Sequence, residues 1–568
     1  MATRANKRDG GEAVVEAIRN LGIKNLIMSP GSEWSPVWEA LTRQRYENIP
    51  GPNYMQIWHE NLAVNIATGY TFMTGEPQAV LLHAGVGPLQ GIMGMHAAMQ
   101  SEVPMLVMAG ESITLGADLD LKVEPQWYGG VSPGGIDKLV SNSVKWSALV
   151  PSAPTLYRSI TRAGEMALRG PKGPVFLDVP IEYMLEDWVP DRELSEVPPP
   201  SQTQAITAEL EQLVAEINAA KNPVIITEFA GRVQGAFEAL AAFADAAAIP
   251  VLGGRTTTYG NFPTDHDLWL GIETYEHLAD TDLVLLIGSR TPWYPPSNCP
   301  TQGKIIAIGD HPHKEWLVYQ DMQADTYVEG DLTETLKAAT ALLNEKGPSD
   351  SVKKERRAKW TAVHTDFMGT LKTQRDAAAE TGELNALSVA HAVEEVMPAD
   401  TVFVDETITH FLKFRNHLSM NHPNSLYKQT VSGLGQCLGL GLGLKMGAPE
   451  RPVVVFVGDG SFLYNPITQA LGASRDYKIP IIIVVMNNNG YQAMLNGHKL
   501  YYSDGMMKET DLTYGFDIES PAFEDVGIPV GIKGVKVDDY AAFKKALEDG
   551  KAENESGRSM IIHAVLPE

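Results

Sequence analysis

The stretch from Arg451 to Tyr491 constrains the fold of this 568-residue chain more than any other part of its sequence. It contains two runs of apolar, mostly β-branched residues, Val453 to Val457 and Ile481 to Met486, which are typical of strands buried on both faces. The segment between them, Asn465 to Tyr477, has the length of a helix. The pattern predicts a βαβ unit. Its right-handed crossover sets the two strands parallel, with both carboxyl ends at one edge of the sheet.

Each of these predicted strands ends in a short polar, glycine-rich sequence. GDGS follows the first strand as residues 458–461, and NNNG follows the second as residues 487–490. We expect Asp459 and Asn488 to face each other across a crevice at the strand ends, where open α/β sheets bind ligands. A carboxylate, an amide oxygen and a loop carbonyl form the oxygen-only kind of site that Mg²⁺ prefers, completed by phosphate and water. Two ordinary strand-end turns are the alternative interpretation.

The pair GDGS and NNNGY, with a strand before each half, resembles the thiamine-diphosphate motif of the acetolactate synthase, pyruvate decarboxylase and benzoylformate decarboxylase group. The resemblance implies an enzyme with thiamine diphosphate and Mg²⁺ as cofactors. It assigns Asp459, Asn488 and the carbonyl of Gly490 as Mg²⁺ ligands, and it places Tyr491 at the cofactor.

Two segments are predicted to contact the diphosphate. Gly460 lets the backbone come close to a phosphate, and Ser461 can donate a hydrogen bond to it. Residues 401–404 predict a strand that ends in DETITH, which resembles the family's diphosphate-holding loop, with Thr407 and Thr409 as donors. A threonine-rich helix start is the alternative for these two residues.

Residues 432–443, SGLGQCLGLGLG, are dense in glycine but precede a strand, so they do not match a dinucleotide-binding fingerprint. They predict a helix that packs closely through glycine. The resemblance adds that Leu434 is the apolar wedge that bends the cofactor. The middle of the chain has no such fingerprint either, so neither FAD nor ADP is assigned there.

Glu60 is the most informative acid of the amino-terminal half, because it lies where a predicted strand meets a long helix. Its segment, HENLAVNIATGY, resembles the family's HE-x-x-A segment. The resemblance implies that the Glu60 carboxyl group hydrogen-bonds the aminopyrimidine ring of the cofactor and so promotes loss of the thiazolium proton. A solvated acid that interacts with the helix dipole is the alternative.

Two further segments point to a substrate pocket. SPGSEWSP resembles the NPGS-type turn of benzoylformate decarboxylase, and LLHAGVG resembles the LH-x-x-x-G segment of the same family. The resemblance implies that Ser32 binds the substrate carboxylate or carbonyl and that His83 shuttles protons. The alternatives are a helix N-cap for Ser32 and, for His83, a strand-end histidine bonded to a nearby carbonyl. The second histidine of that family is missing from the corresponding segment, IGSRTPWYPPSN.

Alternating strands and helices along the chain predict the α/β class, with three doubly wound parallel-sheet domains. The expected division is a pyrimidine-binding domain (1–187), a proline-rich linker (188–204), a middle domain (205–346), a helical linker (347–383) and a diphosphate- and Mg²⁺-binding domain (384–568). Glu60 and the GDGS motif fall in different domains. The resemblance therefore implies a homodimer or homotetramer with sites at subunit interfaces.

The implied activity is cleavage and formation of C–C bonds in a 2-oxo acid or 2-hydroxy ketone, through ylid and enamine intermediates. Ser32 and His83 favour a decarboxylase or lyase with carboligase activity. An acetolactate-synthase-like carboligase is less favoured because the TSGPG-type segment is missing, and a 2-hydroxyacyl-CoA lyase because no basic carboxyl-terminal lid is evident. An inactive cofactor-binding regulatory subunit is the alternative of another class, and intact Glu60, Asp459 and Asn488 argue against it.

The composition of the chain restricts the kinds of partner that we expect it to bind. The chain has 45 Lys and Arg against 70 Asp and Glu, a formal net charge of −25, which argues against nucleic acid. Two cysteines fit a reducing compartment. Neither an apolar signal core nor a run of about 18 apolar residues is present, so we expect a soluble, cytoplasmic protein with no membrane partner.

Overall fold

Three parallel β-sheets with intervening helices make up the fold in the computed structural model of the chain. It describes residues 8–567 apart from 112–134, 191–193, 318–319, 321, 429–432 and 511. Every pairing between the strands given below is parallel. This confirms the predicted α/β class with three parallel sheets.

The first sheet lies in the amino-terminal third of the chain. Its strands are β1 Asn25–Met28, β2 Asn53–Gln56, β3 Gln78–Leu82, β4 Met105–Glu111, β5 Trp146–Leu149 and β6 Pro174–Pro180. Their order in the sheet is β2-β1-β3-β4-β6-β5. The accompanying helices are α1 Gly10–Asn20, α2 Ser35–Tyr46, α3 Glu60–Thr74, α4 Val86–Gln100, α5 Ile136–Val140, α6 Leu156–Leu168 and α7 Ile181–Leu185. A core of buried aliphatic side chains lies between this sheet and α1, α2 and α6.

The middle sheet has five strands in the order β11-β10-β9-β7-β8. Their bounds are β7 Pro223–Ile226, β8 Val251–Leu252, β9 Leu283–Ile287, β10 Lys304–Gly309 and β11 Thr326–Glu329. The helices are α8 Thr207–Ala219, α9 Ala236–Ala247 and α10 Leu332–Lys346, followed by the long α11 Asp350–Glu380. The last of these corresponds to the charged helical linker that the sequence predicts.

The third sheet contains the βαβ unit. Its strands are β12 Val402–Glu406, β13 Leu426–Lys428, β14 Val453–Gly458, β15 Ile482–Asn487, β16 Lys533–Val537 and β17 Met560–Val565. The order is β13-β12-β14-β15-β17-β16, so β14 and β15 are parallel neighbours as predicted. The helices in this stretch of the sequence are α12 Ala386–Val396, α13 Phe411–His417, α14 Cys437–Gly447, α15 Asp459–Tyr464, α16 Ile467–Tyr477, α17 Gln492–Tyr501, α18 Met506–Thr510 and α19 Tyr540–Glu555.

By its contacts, the chain divides into two compact units. The first comprises residues 1–201, 430–448 and 466–473, and the second comprises residues 202–429, 449–465 and 474–568. Within the second unit, the backbone N–H of Lys428 donates to the Thr258 carbonyl at 2.9 Å, and Tyr259 pairs with Tyr427 in an isolated bridge. The middle and third sheets thus share one unit, while the predicted domain boundaries stay a prediction.

The glycine-dense helix α14 packs tightly on α3 within the first unit. A Cβ atom added at Gly443 would lie 2.1 Å from the Ile66 carbonyl oxygen, and one at Gly69 would lie 2.3 Å from that of Leu440. These contacts confirm the predicted close packing through glycine.

The GDGS segment and the helix after it differ from the prediction. The GDGS sequence was expected to be a turn before a helix at Asn465, but α15 already begins at Asp459, and the chain continues into α16 beyond Pro466. Proline restricts the residue before it to extended backbone, which explains why Asn465 separates the two helices.

Within the described residues, no helix combines the length and apolar character needed to cross a bilayer.

Candidate active site

The predicted crevice at the ends of β14 and β15 exists in the second unit. Asp459, which is 3% exposed, accepts hydrogen bonds from the backbone N–H groups of Gly460 at 2.7 Å and of Gly490 at 3.0 Å. Burial raises the pKa of Asp459, and these two N–H groups, with those of Asn488 and Asn489, oppose the rise. The predicted proximity of Asp459 to the turn carrying Asn488 is therefore confirmed.

The chemistry of this site fits Mg²⁺. The groups that oppose the rise in the pKa of Asp459 are all backbone N–H groups. No cationic side chain is among them in the described part of the chain. A buried carboxylate without a compensating charge is costly. A cation bound by Asp459, the half-buried Asn488 and the Gly490 carbonyl would offset that cost with oxygen ligands alone. Their roles as metal ligands stay a prediction.

The turn itself is held by backbone pairing that the sequence did not predict. Asn489 adopts a left-handed backbone conformation with φ of 56°, and its carbonyl accepts from the N–H of Ile518 at 2.9 Å. The N–H of Tyr491 donates to the Phe516 carbonyl at 2.7 Å. Phe516 and Ile518 belong to residues 512–521, which are mostly exposed, so a surface segment holds this turn in place.

Side chains behind the turn extend this support. The Asn487 amide accepts from the Asn489 N–H at 2.9 Å through Oδ1 and donates to His563 Nε2 at 2.8 Å through Nδ2. His563 Nδ1 lies 2.6 Å from a Glu524 carboxylate oxygen. Although burial raises it, the pKa of Glu524 stays below its ordinary value because of the hydrogen bond from His563. Sequence reasoning missed this network, because the three side chains come from distant segments.

A cavity of about 800 Å³ opens beside the turn within the second unit. Asn488 and Gly490 line it together with His410 and Lys413, two residues to which the sequence gave no role. His410 Nε2 is buried and has no hydrogen-bond partner among the residues that the structure describes, and burial, with nearby Lys413, lowers the pKa of His410. A cavity of this size with a lysine in its wall can accept an anionic ligand.

Gly460 and Tyr491 are in direct contact. A Cβ atom added at Gly460 would lie 2.4 Å from Cε1 of the Tyr491 ring, so the ring itself requires glycine there. Burial is the main cause that raises the pKa of Tyr491, and the electrostatic interaction with Tyr464 raises it further. Ser461 is buried, and its carbonyl accepts from the Asn465 amide at 2.9 Å. The cofactor contacts of Gly460, Ser461 and Tyr491 stay predictions.

Three cofactor-binding candidates remain, Thr407, Thr409 and Leu434. The Thr407 hydroxyl donates to Asp405 Oδ1 at 2.7 Å, so it would have to change partner to donate to a diphosphate. Thr409 is half-buried in the turn before α13. In the first unit, Leu434 is half-buried next to Gly435, whose φ is 94°. All three assignments stay predictions.

Glu60 is the first residue of α3, in the first unit, and is half-buried. A Cβ atom added at Gly91 of α4 would lie 3.7 Å from the Glu60 Cβ, an ordinary packing distance, so Gly91 of α4 lies beside the start of α3. Burial lowers the pKa of the neighbouring His59, and Glu60 opposes that effect. Glu60 is placed at the predicted strand–helix junction, and its catalytic role stays a prediction.

Ser32 and His83 follow adjacent parallel strands, β1 and β3. Ser32 begins a 3-10 turn and is exposed, while the N-cap of α2 is Trp34 with no side-chain cap, so the N-cap alternative for Ser32 is wrong. The Nδ1 atom of His83 lies 2.9 Å from the carboxylate of Glu33, a partner that the sequence did not predict. The proton-shuttling role of His83 stays a prediction. Glu33 belongs to the SPGSEWSP segment. The residues around it in the sequence do not predict that its side chain is buried.

Comparison with known proteins agrees with this geometry. The model "Thiamine pyrophosphate enzyme, N-terminal TPP binding domain" matches residues 8–126, the central-domain model of the same enzymes matches residues 210–339, and the C-terminal TPP binding domain matches residues 409–564. The chain belongs to the family of thiamine pyrophosphate enzymes, named after the cofactor also called thiamine diphosphate.

Individual relatives are distant but cover nearly the whole chain. The acetolactate synthase large subunit of Lactococcus lactis is 24% identical over 93% of this chain and 88% of its own length. Benzoylformate decarboxylase of Pseudomonas aeruginosa is 25% identical over 94% of each chain. The solved 4-hydroxybenzoylformate decarboxylase of Rhodococcus jostii superposes over 99% of each chain with a TM-score of 0.80 at 22% identity, a likeness of fold.

Proposed function

We propose that this protein is a thiamine-diphosphate- and Mg²⁺-dependent enzyme that cleaves and forms C–C bonds in 2-oxo acids or 2-hydroxy ketones, acting as a decarboxylase or lyase with carboligase activity. The observation that carries the proposal is the buried Asp459 carboxylate, enclosed by the turn of Asn488 and Gly490. Such a carboxylate next to a large cavity suits a cation that bridges the protein to a diphosphate.

The third sheet would hold the cofactor. Asp459, Asn488 and the Gly490 carbonyl bind Mg²⁺ in this proposal, and the diphosphate and heterocycle contact Gly460, Ser461, Tyr491, Thr407, Thr409 and Leu434. When bound, thiamine diphosphate supplies the electron sink for cleavage next to a carbonyl carbon. The protein positions the reacting carbon and excludes water.

Glu60 would act on the other end of the cofactor, where its carboxyl group hydrogen-bonds the aminopyrimidine ring. Because Glu60 and Asp459 lie in different domains, the proposal includes a homodimer or homotetramer with each site at a subunit interface. A cytoplasmic location, small carbonyl substrates and the absence of nucleic-acid and membrane partners belong to the same proposal, and the middle domain is assigned no FAD or ADP.

Ser32 and His83 would face the substrate. Ser32 binds its carboxylate or carbonyl, and His83 exchanges protons with it, since histidine carries protons readily near neutral pH. Benzoylformate decarboxylase among the relatives favours decarboxylation. Acetolactate synthase, at similar identity, supports carboligation as the second candidate activity. A 2-hydroxyacyl-CoA lyase and an inactive regulatory subunit are the remaining alternatives.

The deciding assay supplies Mg²⁺, thiamine diphosphate and a panel of 2-oxo acids and acyloins, and it follows CO₂, aldehyde and hydroxyketone products together. We expect CO₂ and aldehyde from at least one 2-oxo acid, and a loss of at least about 100-fold in Glu60→Gln, since general acid–base groups contribute roughly 10²–10⁴-fold.

Glu47→Gln, a change at an exposed acid after α2, is the matched control and should keep the full rate. An unchanged rate in Glu60→Gln would exclude the assigned mechanism. Cofactor binding by the unaltered protein without conversion of any carbonyl compound would favour the regulatory subunit.

A further inference from the structure

The carboxylate of Glu33 is held against the imidazole ring of His83 in the first unit. Its oxygens lie 2.9 Å and 3.0 Å from His83 Nδ1, and Oε1 also accepts the backbone N–H of Ala84 at 2.7 Å. The side chain of Glu33 is 2% exposed, whereas that of His83 is 29% exposed. The carboxylate is therefore the buried end of the pair, and the imidazole ring is the end that reaches the surface.

Glycine residues leave the space that this pair occupies. A Cβ atom added at Gly31 would lie 2.2 Å from His83 Nδ1 and 2.3 Å from Glu33 Oε1. One added at Gly110 would lie 1.9 Å from Glu33 Cγ. Gly31 follows β1, His83 follows β3 and Gly110 lies in β4, so three adjacent strands of one sheet enclose the carboxylate.

This arrangement determines which ring nitrogen carries the proton. An ionised carboxylate only accepts hydrogen bonds, and Glu33 Oε1 already accepts one from Ala84, so His83 Nδ1 must be the donor. In the neutral ring, the lone pair that accepts a proton is then on Nε2. Once Nε2 has accepted it, the adjacent carboxylate stabilises the imidazolium ion.

We propose that Glu33 is a positioning residue that acts through His83: it keeps the ring in the Nδ1–H form, makes Nε2 the proton-exchanging atom and stabilises the protonated ring. This inference rests on the proposed function in one respect, namely that His83 exchanges protons with the substrate. Loss of the carboxylate should then slow turnover without weakening substrate binding.

The replacement Glu33→Gln tests the tautomer directly, because it keeps the shape and removes the charge. The Ala84 N–H would hold the new amide oxygen at the position of Oε1, which puts the amide NH₂ group at the position of Oε2, 3.0 Å from Nδ1. A proton on Nδ1 would face this second donor, so the replacement shifts the ring towards the Nε2–H tautomer. NMR of protein with ¹⁵N-labelled histidine rings, with His83 assigned by the loss of its signal in His83→Gln, should show this change. An unchanged His83 tautomer would overturn the proposal.

Kinetics test the consequence for turnover. We expect kcat to fall about 10- to 100-fold in Glu33→Gln, with KM changed by less than about threefold, since the loss affects general acid–base catalysis. In a His83→Ala background the same replacement should change kcat by less than about twofold, because its effect requires the imidazole ring. A large further loss in that background would overturn the proposal.

Glu12→Gln is the matched control, since Glu12 is equally buried in the same unit but pairs with Arg43 at 2.6 Å. A loss of kcat in Glu12→Gln equal to that in Glu33→Gln would assign the effect to stability and overturn the proposal. If the unaltered protein converts no carbonyl compound, the proposed function fails, and the tautomer measurement alone decides the role of Glu33.

Discussion

His563 links the last strand of the third sheet to the turn that carries Asn488. It lies between Asn487 and Glu524, and the Asn487 amide in turn accepts the backbone N–H of Asn489. Only 2% of His563 is exposed, so water does not readily replace these hydrogen bonds. The network therefore fixes the backbone from which the proposed metal ligands project.

We predict that His563→Gln weakens Mg²⁺ binding about 10- to 100-fold, the usual effect of removing a group that orients metal ligands. Isothermal titration of the folded protein with Mg²⁺ in the presence of thiamine diphosphate measures this. His391→Gln is the control, because His391 also hydrogen-bonds within the second unit, to the Tyr540 hydroxyl at 2.7 Å. Equal Mg²⁺ affinity in the two variants would contradict the prediction.

Single-residue predictions succeeded where strand geometry dictated the result. Asp459 and Asn488 were expected to be close because parallel strands place their carboxyl ends at one edge, and the hydrogen bonds of Asp459 to the turn confirm it. The contact between Glu33 and His83 could not be predicted, because two loops far apart in sequence form it. The hydrogen bond from the Thr407 hydroxyl to Asp405 could not be predicted either. Whether this hydroxyl donates to the protein or to a ligand depends on the rotation of the side chain.

Among the elements, helices α3 and α14 show how glycine permits close approach. Gly443 of α14 faces the carbonyl of Ile66, and no side chain separates the two backbones. Because backbone atoms cannot move aside as a flexible side chain can, a methyl group at this position must displace a whole helix.

We predict that Gly443→Ala destabilises the protein by about 1–3 kcal/mol, the typical cost of overpacking a core. Gly369→Ala in α11 is the control, since its added methyl group meets nothing within 4 Å, and it should stabilise by about 0.5–1 kcal/mol through helix propensity. Urea unfolding measures both changes. A Gly443→Ala variant as stable as the unaltered chain would show that the helices can separate without cost.

Whole elements followed well from sequence periodicity. The buried runs at β14 and β15 were predicted within one residue, because uninterrupted β-branched residues fit a strand covered on both faces. The short helix α15 was missed, since Gly458 and Gly460 favour a turn in the sequence, whereas in the fold the ring of Tyr491 packs on Gly460 and the backbone coils. Local sequence preference takes no account of such a contact with a segment some thirty residues away.

For the molecule as a whole, the division into two units bears on assembly. Glu60 belongs to the first unit and Asp459 to the second. The proposed function requires both at one cofactor, and the family resemblance implies that they come from two subunits. Inactive variants of these two residues can therefore be made to complement each other.

We predict that Glu60→Gln and Asp459→Asn are each inactive alone but regain about a quarter of full activity when co-expressed. Random pairing makes half of the dimers mixed, and each mixed dimer has one of its two sites intact. The quarter applies to the unfractionated pool of dimers. Mixed dimers isolated with two different affinity tags should show about half of full activity, because one of their two sites is intact. Mixed dimers without activity would place both residues of a site in one subunit.

In the proposed site, Asp459 and the turn of Asn488 and Gly490 hold Mg²⁺ and through it thiamine diphosphate. Titration calorimetry of thiamine diphosphate into the protein, with and without Mg²⁺, tests it most directly. Asp459→Asn should lose roughly 100-fold or more in Mg²⁺-dependent affinity, as expected when one partner of a buried charge pair is removed. Asp476→Asn, at an exposed acid, should bind normally. If Asp459→Asn binds thiamine diphosphate with unchanged affinity and unchanged dependence on Mg²⁺, Asp459 is not a ligand of the metal.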